Sequence, residues 1–163
     1  MVSLRTRSAH CALAILIAAS LSGWLNAAHA LDLDREGAPA AVVVVDESAS
    51  GQVKAAAQLL AEYVERATGA RLPVTSALPD EGAVVCVGRG AAWQTPDQAG
   101  LDEDGFDIAF PDASTVVIAG PTDWGTEFGV YEFLERYVGV RWLLPGEHGD
   151  DVPAARSLSV PPE

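Results

Sequence analysis

The segment AVVVVDESASGQVKAAAQLLAEYVERATG, residues 41–69, joins a continuous apolar run to a pattern with helical periodicity. Residues 41–45 have the length and the β-branched composition of a strand. After them, apolar residues recur at intervals of three and four, which places them on one face of an amphipathic helix: Val53, Ala57, Leu60, Val64 and Ala67. Gly69 ends this pattern, as glycine commonly does at a helix C-terminus. The segment therefore predicts a strand followed by a helix, the first part of a β-α-β unit.

Two further continuous apolar runs lie at residues 83–87 and 115–119. Runs of this kind predict strands that are covered on both faces, as in the sheets of layered α/β folds. Residues 71–75 contain Pro73, and residues 105–110 alternate between apolar and polar side chains. These two segments therefore predict edge or half-exposed strands.

A second helix is predicted between the strand at 115–119 and a short strand within VRWLL, residues 140–144. The helix extends from about Asp123 to Tyr137 and ends before Gly139. Its core-facing residues are Val130, Phe133, Leu134 and Tyr137. Together the elements predict an α/β fold, a layered mixed sheet with two main helices.

The stretch GPTDWGTEFG, residues 120–129, begins this second helix, and its first six residues have the spacing of a phosphate-binding loop. Such a loop continues with a Lys that reaches the phosphates and a Ser or Thr that binds magnesium. Here Thr126 and Glu127 follow, and a carboxylate at that position would repel phosphate. We therefore expect no nucleotide and no other cofactor. Thr122 and Asp123 are instead typical N-cap residues.

The same stretch carries a candidate docking face formed by Trp124, Gly125, Phe128 and Gly129. The two glycines are four residues apart on one helix face, where missing side chains let another backbone approach closely. Aromatic residues away from the core stripe indicate a surface for a partner. The alternative is that this face packs within the domain, and the sequence leaves both possibilities open.

The N-terminus has the features of an export signal. Arg5 and Arg7 precede an apolar stretch, and the sequence AHA ending at Ala30 resembles a signal-peptidase site. We predict a signal peptide over residues 1–30 and a single α/β domain over residues 31–163. The predicted location is secreted or periplasmic, without membrane attachment after cleavage.

The charge of the chain restricts its partners. The formal net charge is −13, and cleavage of the signal would remove two of the ten basic residues. Nucleic acids and anionic lipids require clustered Lys and Arg on the protein. We therefore expect neither of them as a partner.

Two single residues are candidates for chemistry. Trp93 lies in an irregular loop and could stack on a sugar, although a loop aromatic also serves as a hydrophobic plug. Cys86 lies inside the apolar run AVVCV, which indicates a buried and inert thiol rather than a nucleophile.

The acidic residues do not form a recognisable site. Glu132 and Glu135 are three apart on a predicted exposed helix face, which favours a solvated surface over a pair of glycosidase carboxylates. Residues 101–107 lack part of the calcium-loop pattern. Residues 146–151 combine one His with carboxylates, which is weak evidence for a metal. We therefore predict no catalytic, cofactor-binding or metal-binding residue.

The order of several segments resembles that of a known family. EYVERATGARLPV at residues 62–74 and GTEFGVYEFLERYVGVRWLLPGE at residues 125–147 are the most specific, with VVCVGRG and DGFDIAF between them. The chain resembles the N-terminal domain of alpha-glucuronidases and related secreted glycoside-hydrolase-like proteins over nearly all of residues 40–160. The fold implied is that of the second domain of chitobiase and beta-hexosaminidase.

The resemblance also implies a role. In those families this domain precedes a (β/α)₈ barrel that carries the catalytic carboxylates, so no catalytic residue transfers to this chain. The implied function is a non-catalytic accessory domain of a carbohydrate-active enzyme, as a truncated or free-standing copy, and the implied partner is a catalytic barrel or a polysaccharide. The alternative is a stand-alone carbohydrate-binding module.

Overall fold

The computed structural model describes residues 30–146 and 149–162. The predicted signal peptide, apart from Ala30, lies outside these ranges, as do Glu147 and His148 of the acidic turn. Within these ranges, no helix combines the length and the hydrophobicity that crossing a membrane requires.

The chain alternates short strands with two helices. The helices are α1 (Gly51–Thr68) and α2 (Asp123–Phe133), and a π-helical turn (Leu134–Val138) continues α2. The strands are β1 (Leu31–Asp32), β2 (Asp34–Arg35), β3 (Ala38–Pro39), β4 (Ala41–Val45), β5 (Val74–Thr75), β6 (Ala83–Val87), β7 (Asp107–Asp112), β8 (Thr115–Ala119), β9 (Arg141–Trp142), β10 (Asp150–Asp151) and β11 (Ser159–Val160).

The largest sheet has five strands in the order β5-β4-β6-β8-β7. Strands β5, β4, β6 and β8 are parallel, and β7 pairs with β8 in the antiparallel direction. The three continuous apolar runs are the three inner strands, and the two weaker segments form the edges. The structure therefore confirms a mixed sheet with two main helices.

Both helices pack on the same face of this sheet. Alternate strand residues, among them Val43, Val85 and Ile118, form one core cluster with the inward face of α1 and with Val130 and Phe133 of α2. The opposite face carries a smaller buried cluster, against which Val42 and Trp93 pack. Its members are Val44, Val84, Cys86, Val117 and Ala119. The inner strands are thus buried on both sides, although both helices cover only one side.

The ends of the helices follow from their capping residues. The Ser50 hydroxyl accepts a hydrogen bond from the Val53 N–H at 3.2 Å at the start of α1, and Gly69 ends that helix with φ +83°. Thr122 caps α2, since its hydroxyl accepts from the Gly125 N–H at 3.1 Å. A positive φ is costly for residues with a Cβ, so glycine at the end of α1 fits the chain reversal there.

Two details of the second half differ from the sequence prediction. The helix predicted to reach Tyr137 is α-helical only to Phe133, and it widens into the π-helical turn before Gly139. The short strand in VRWLL is limited to Arg141–Trp142, and it pairs with β10 in a separate hairpin rather than with the main sheet. Periodicity does not distinguish α from π turns over so few residues.

The terminal strands are held by a buried carboxylate. Leu31 pairs with Val160, so β1 and β11 lie side by side. Asp34 is buried, and its side chain accepts hydrogen bonds from the Leu158 N–H at 2.7 Å and the Gly37 N–H at 3.1 Å. These bonds satisfy a carboxylate that would otherwise be costly to bury.

Candidate functional site

The surface of the two helices that faces away from the sheet carries the features relevant to binding. Near the start of α1, the Gln52 Nε2 donates a hydrogen bond to the Glu127 Oε2 in the second turn of α2 at 2.6 Å. The two helices therefore begin at the same end of the domain. We call this end the amino end of the helix layer. The far end is marked by Tyr63, Tyr131 and Trp142, which lie close together.

The structure separates the four residues of the predicted docking face. Gly125 and Gly129 are buried. A Cβ on Gly125 would lie 2.2 Å from the carbonyl oxygen of Gly105, and one on Gly129 would lie 2.8 Å from Ile118 Cγ2. Both glycines therefore pack within the domain, as the alternative interpretation of their spacing requires.

The two aromatic residues of that face remain at the surface. Trp124 is 59% exposed and Phe128 is 38% exposed, and their ring centroids are 6.1 Å apart. Trp124 also lines a groove of about 320 Å³ between the helices, together with apolar groups such as Ala55, Leu59 and Val130. The amino end of the helix layer is thus an exposed apolar surface built on Trp124 and Phe128.

A second depression, which we call the aromatic cleft, lies further toward the carboxyl-terminal ends of the two helices and shares Tyr131 with the groove. It has a volume of about 550 Å³, and its walls are formed by α1, α2 and the β9–β10 hairpin. Its lining includes Tyr63, Tyr131, Trp142, Glu62, Arg66 and Asp150. The Trp142 ring lies 5.0 Å from that of Tyr63 and 5.1 Å from that of Tyr131, both in edge-to-face contacts. The three rings therefore form one packed aromatic cluster, with Trp142 in contact with both tyrosines.

Asp150 attaches the hairpin to α1. Its Oδ2 accepts hydrogen bonds from the Tyr63 hydroxyl at 2.5 Å and from Arg66 Nη1 at 2.6 Å. The Arg66 guanidinium, with help from the Tyr63 hydroxyl, lowers the pKa of Asp150 to about 2. Burial, and then the Asp150 carboxylate, raise the pKa of Tyr63 to about 12. At neutral pH the group is therefore a neutral phenol and an ion pair.

Trp93, the candidate for sugar stacking, is half-buried. Its Nε1 donates to the Gly88 carbonyl oxygen at 3.1 Å, and its ring lies so close to Gly90 that a Cβ there would be 2.2 Å from a ring carbon. The ring also packs against the smaller core cluster. These contacts are those of a plug, and a role of Trp93 in sugar stacking remains a prediction.

The remaining candidates do not converge. Cys86 is a free, buried thiol, and burial raises its pKa to about 12, which fits the inert role expected for it. Glu132 pairs with Arg136 at 2.8 Å on the surface, and Glu135 is exposed. In the described part of the chain, no group of three or more His, Cys, Asp or Glu side chains is placed to hold a metal ion.

Sequence reasoning did not find the aromatic cleft. Tyr63 and Tyr131 lie on different helices, and Trp142 lies on a hairpin that was not predicted. Their common feature in the sequence is a position off the core stripe, which is a signal shared with many ordinary surface residues. Only the packing of α1 against α2 brings the three rings together.

Comparisons with known proteins give partial similarities of structure. No protein-family model matches the sequence, and no curated protein matches it. One similar solved structure is a family GH115 4-O-methyl-alpha-glucuronidase, BtGH115A, with specificity for decorated arabinogalactans: identity is 19%, the TM-score is 0.48, and the match covers 72% of this chain and 16% of that one. Another is the Flavobacterium johnsoniae chitobiase FjGH20, with 10% identity, a TM-score of 0.40, and coverage of 82% and 18%.

The chain thus corresponds to less than a fifth of the length of either enzyme. Both similarities are limited in extent and in identity. The activities and substrates of these two enzymes are therefore statements about them alone.

Proposed function

We propose that this chain is a non-catalytic accessory domain of a secreted carbohydrate-active glycoside hydrolase of the alpha-glucuronidase type. In this proposal the amino end of the helix layer docks onto the catalytic barrel of that enzyme. The observation that carries the proposal is the exposed pair Trp124 and Phe128, of which Trp124 lines an apolar groove. The order of segments that resembles the N-terminal domain of alpha-glucuronidases supplies the class of partner.

The surface chemistry favours a protein partner at this end. Exposed aromatic side chains beside a groove are typical of the centre of protein–protein interfaces, where large rings fill pockets on the partner. Gln52 and Glu127 also line the groove, and the hydrogen bond between them fixes the positions of these two polar side chains. Rigid walls lower the entropic cost of docking.

The docking test uses two variants with matched surface changes. The partner is the catalytic barrel of the alpha-glucuronidase-type enzyme of the same organism, expressed separately. We expect the chain to bind this barrel, and we expect Trp124→Ser with Phe128→Ser to weaken binding by at least about tenfold, because interface aromatics commonly contribute more than about 1.4 kcal/mol. Leu78→Ser is the control, since Leu78 is an exposed apolar residue outside this surface.

Two results would contradict the proposal. The first is equal weakening by Leu78→Ser and by the double variant, which would indicate non-specific adhesion. The second is release of sugar from glucuronic-acid-substituted xylo-oligosaccharides by the purified chain alone, above a blank, which would make the chain itself an enzyme.

The stand-alone carbohydrate-binding module is the second candidate. The sequence assigns this function to Trp93 and other exposed aromatic residues, and the Trp93 ring is packed against Gly88 and Gly90. A specific observation favours saccharide binding at another place, since three aromatic rings converge in the aromatic cleft.

A further inference from the structure

We propose that the aromatic cleft binds a neutral saccharide, with the Trp142 ring as the stacking surface and with Glu62 and Arg66 as hydrogen-bonding groups. This site lies nearer the carboxyl-terminal ends of the helices than the docking groove does, and Tyr131 lines both. It also does not involve Trp93. The inference goes beyond the accessory function and does not depend on a barrel.

The shape and composition of the cleft suit a ligand that is apolar on one side and polar at its edges. Three aromatic rings from α1, α2 and the hairpin converge, and Trp142 keeps 37% of its surface exposed. Its volume of about 550 Å³ is within the range of small-molecule sites. Pyranose rings present C–H faces that pack on aromatic rings, and their hydroxyl groups lie at the rim.

The charges in the cleft argue against an anionic ligand. Arg66 is the basic residue of its lining, and its charge is already balanced by Asp150 at 2.6 Å. Glu62 is exposed at the rim and adds negative charge. The chain as a whole has a net charge of −13. Among the described residues that line the cleft, a phosphate or uronate group would therefore meet no uncompensated positive charge.

The position for a cationic ligand is also occupied. The Arg66 guanidinium lies over the Tyr63 ring, with Cζ 4.5 Å from the ring centroid, which is the geometry of a cation–π contact. A second cation on that ring would face Arg66 at close range. The described groups that remain available include the exposed part of Trp142, the Glu62 carboxylate and the N–H groups of Arg66 that do not bind Asp150. These groups suit a neutral polyhydroxylated ligand.

The cleft is organised before any ligand arrives. Asp150 binds both Tyr63 and Arg66, which holds the hairpin and its Trp142 against α1. Within the hairpin, the Leu143 and Leu144 N–H groups both donate to the Gly149 carbonyl oxygen, at 2.7 and 2.9 Å. A preformed wall reduces the loss of conformational entropy on binding.

The test is calorimetric titration of the purified chain with the hexasaccharides of xylose, glucose and N-acetylglucosamine, and with polygalacturonate as an acidic probe. We expect at least one neutral hexasaccharide to bind and polygalacturonate to bind more weakly. Trp142→Ala should lower the association constant by about tenfold or more, because an aromatic platform is removed. Trp142→Phe should retain most of the binding and guards against loss of the fold, and Glu62→Gln on the exposed rim should weaken it.

Trp124→Ala is the matched control, since it removes an exposed tryptophan that does not line the cleft and should bind like the unmodified chain. The proposal is overturned if none of the three neutral hexasaccharides binds, or if binding persists unchanged in Trp142→Ala and Glu62→Gln. Equal loss in Trp124→Ala would also overturn it. Each of these results leaves the barrel-docking test unaffected, because that test measures binding to a different partner.

Discussion

At the scale of single residues, Gly125 shows how a surface pattern in the sequence can have an internal cause. Its spacing from Gly129 suggested close approach by another backbone, and that backbone is the chain's own segment at Gly105. The sequence could show that something approaches closely at this helix face, but it could not show what. Identifying the contact required the position of residues 101–106, an irregular loop without periodicity.

Gly125→Ala should destabilise the fold. The added Cβ would lie 2.2 Å from the Gly105 carbonyl oxygen, a backbone atom that cannot rotate away. We expect the free energy of unfolding to fall by roughly 1–3 kcal/mol, the usual cost of overpacking. Gly51→Ala is the control, because a Cβ at that helix position meets no atom within 4 Å. Urea denaturation measures both, and equal stability of the two variants would show that the Gly105 segment moves freely.

Asp150 gives the fold a specific dependence on acid. Its pKa is lowered from 3.8 to about 2 in the folded chain by Arg66 and Tyr63. A carboxyl group with a lowered pKa stabilises the folded state above its unfolded pKa, and this stabilisation is lost as the pH falls through the folded pKa. The advantage of the unmodified chain over Asp150→Asn should therefore be constant near neutrality and should shrink between about pH 4 and pH 2.

Melting temperatures across this pH range test the prediction. Glu65→Gln is the comparison, since its ion pair with Arg71 is exposed and should contribute little at any pH. A melting-temperature difference for Asp150→Asn that is the same at pH 2 and at pH 7 would mean that the charge of Asp150 does not hold the hairpin.

At the scale of elements, the helices and strands that the sequence predicts correctly are those with the clearest local pattern of apolar residues. Strands β4, β6 and β8 are continuous apolar runs, and α1 has a clear apolar stripe between Ser50 and Gly69. The β9–β10 hairpin is short and exposed and is held by contacts with α1, so no local pattern defines it. The π-helical turn likewise depends on how residues 134–138 pack on the core.

Thr122 joins the start of α2 to the preceding loop, and its removal should weaken both. The hydroxyl accepts from the Gly125 N–H at 3.1 Å and donates to the Glu103 carbonyl oxygen at 2.5 Å. Thr122→Ala should lower the free energy of unfolding by about 1 kcal/mol, and at most about 2 kcal/mol. Thr122→Ser keeps the hydroxyl and should be close to the unmodified chain in chemical denaturation. If Ser costs as much as Ala, the methyl group rather than the cap matters.

At the scale of the whole molecule, the fold class was accessible from the sequence and the binding surfaces were only partly so. Exposure of Trp124 and Phe128 follows from their places off the core stripe of one helix. The aromatic cleft needs three elements to be assembled, and its residues are far apart along the chain. A site of that kind depends on tertiary packing, which residue periodicity within single elements does not encode.

The pairing of β1 with β11 has a consequence for the connectivity of the fold. Leu31 lies opposite Val160, so the chain enters and leaves the described domain at neighbouring points on one edge. A domain whose two ends lie close together can be inserted into a loop of another protein, because the two ends of the interrupted loop can stay close together. A short linker between these ends would equally allow circular permutation, with new ends in an exposed loop such as residues 80–82.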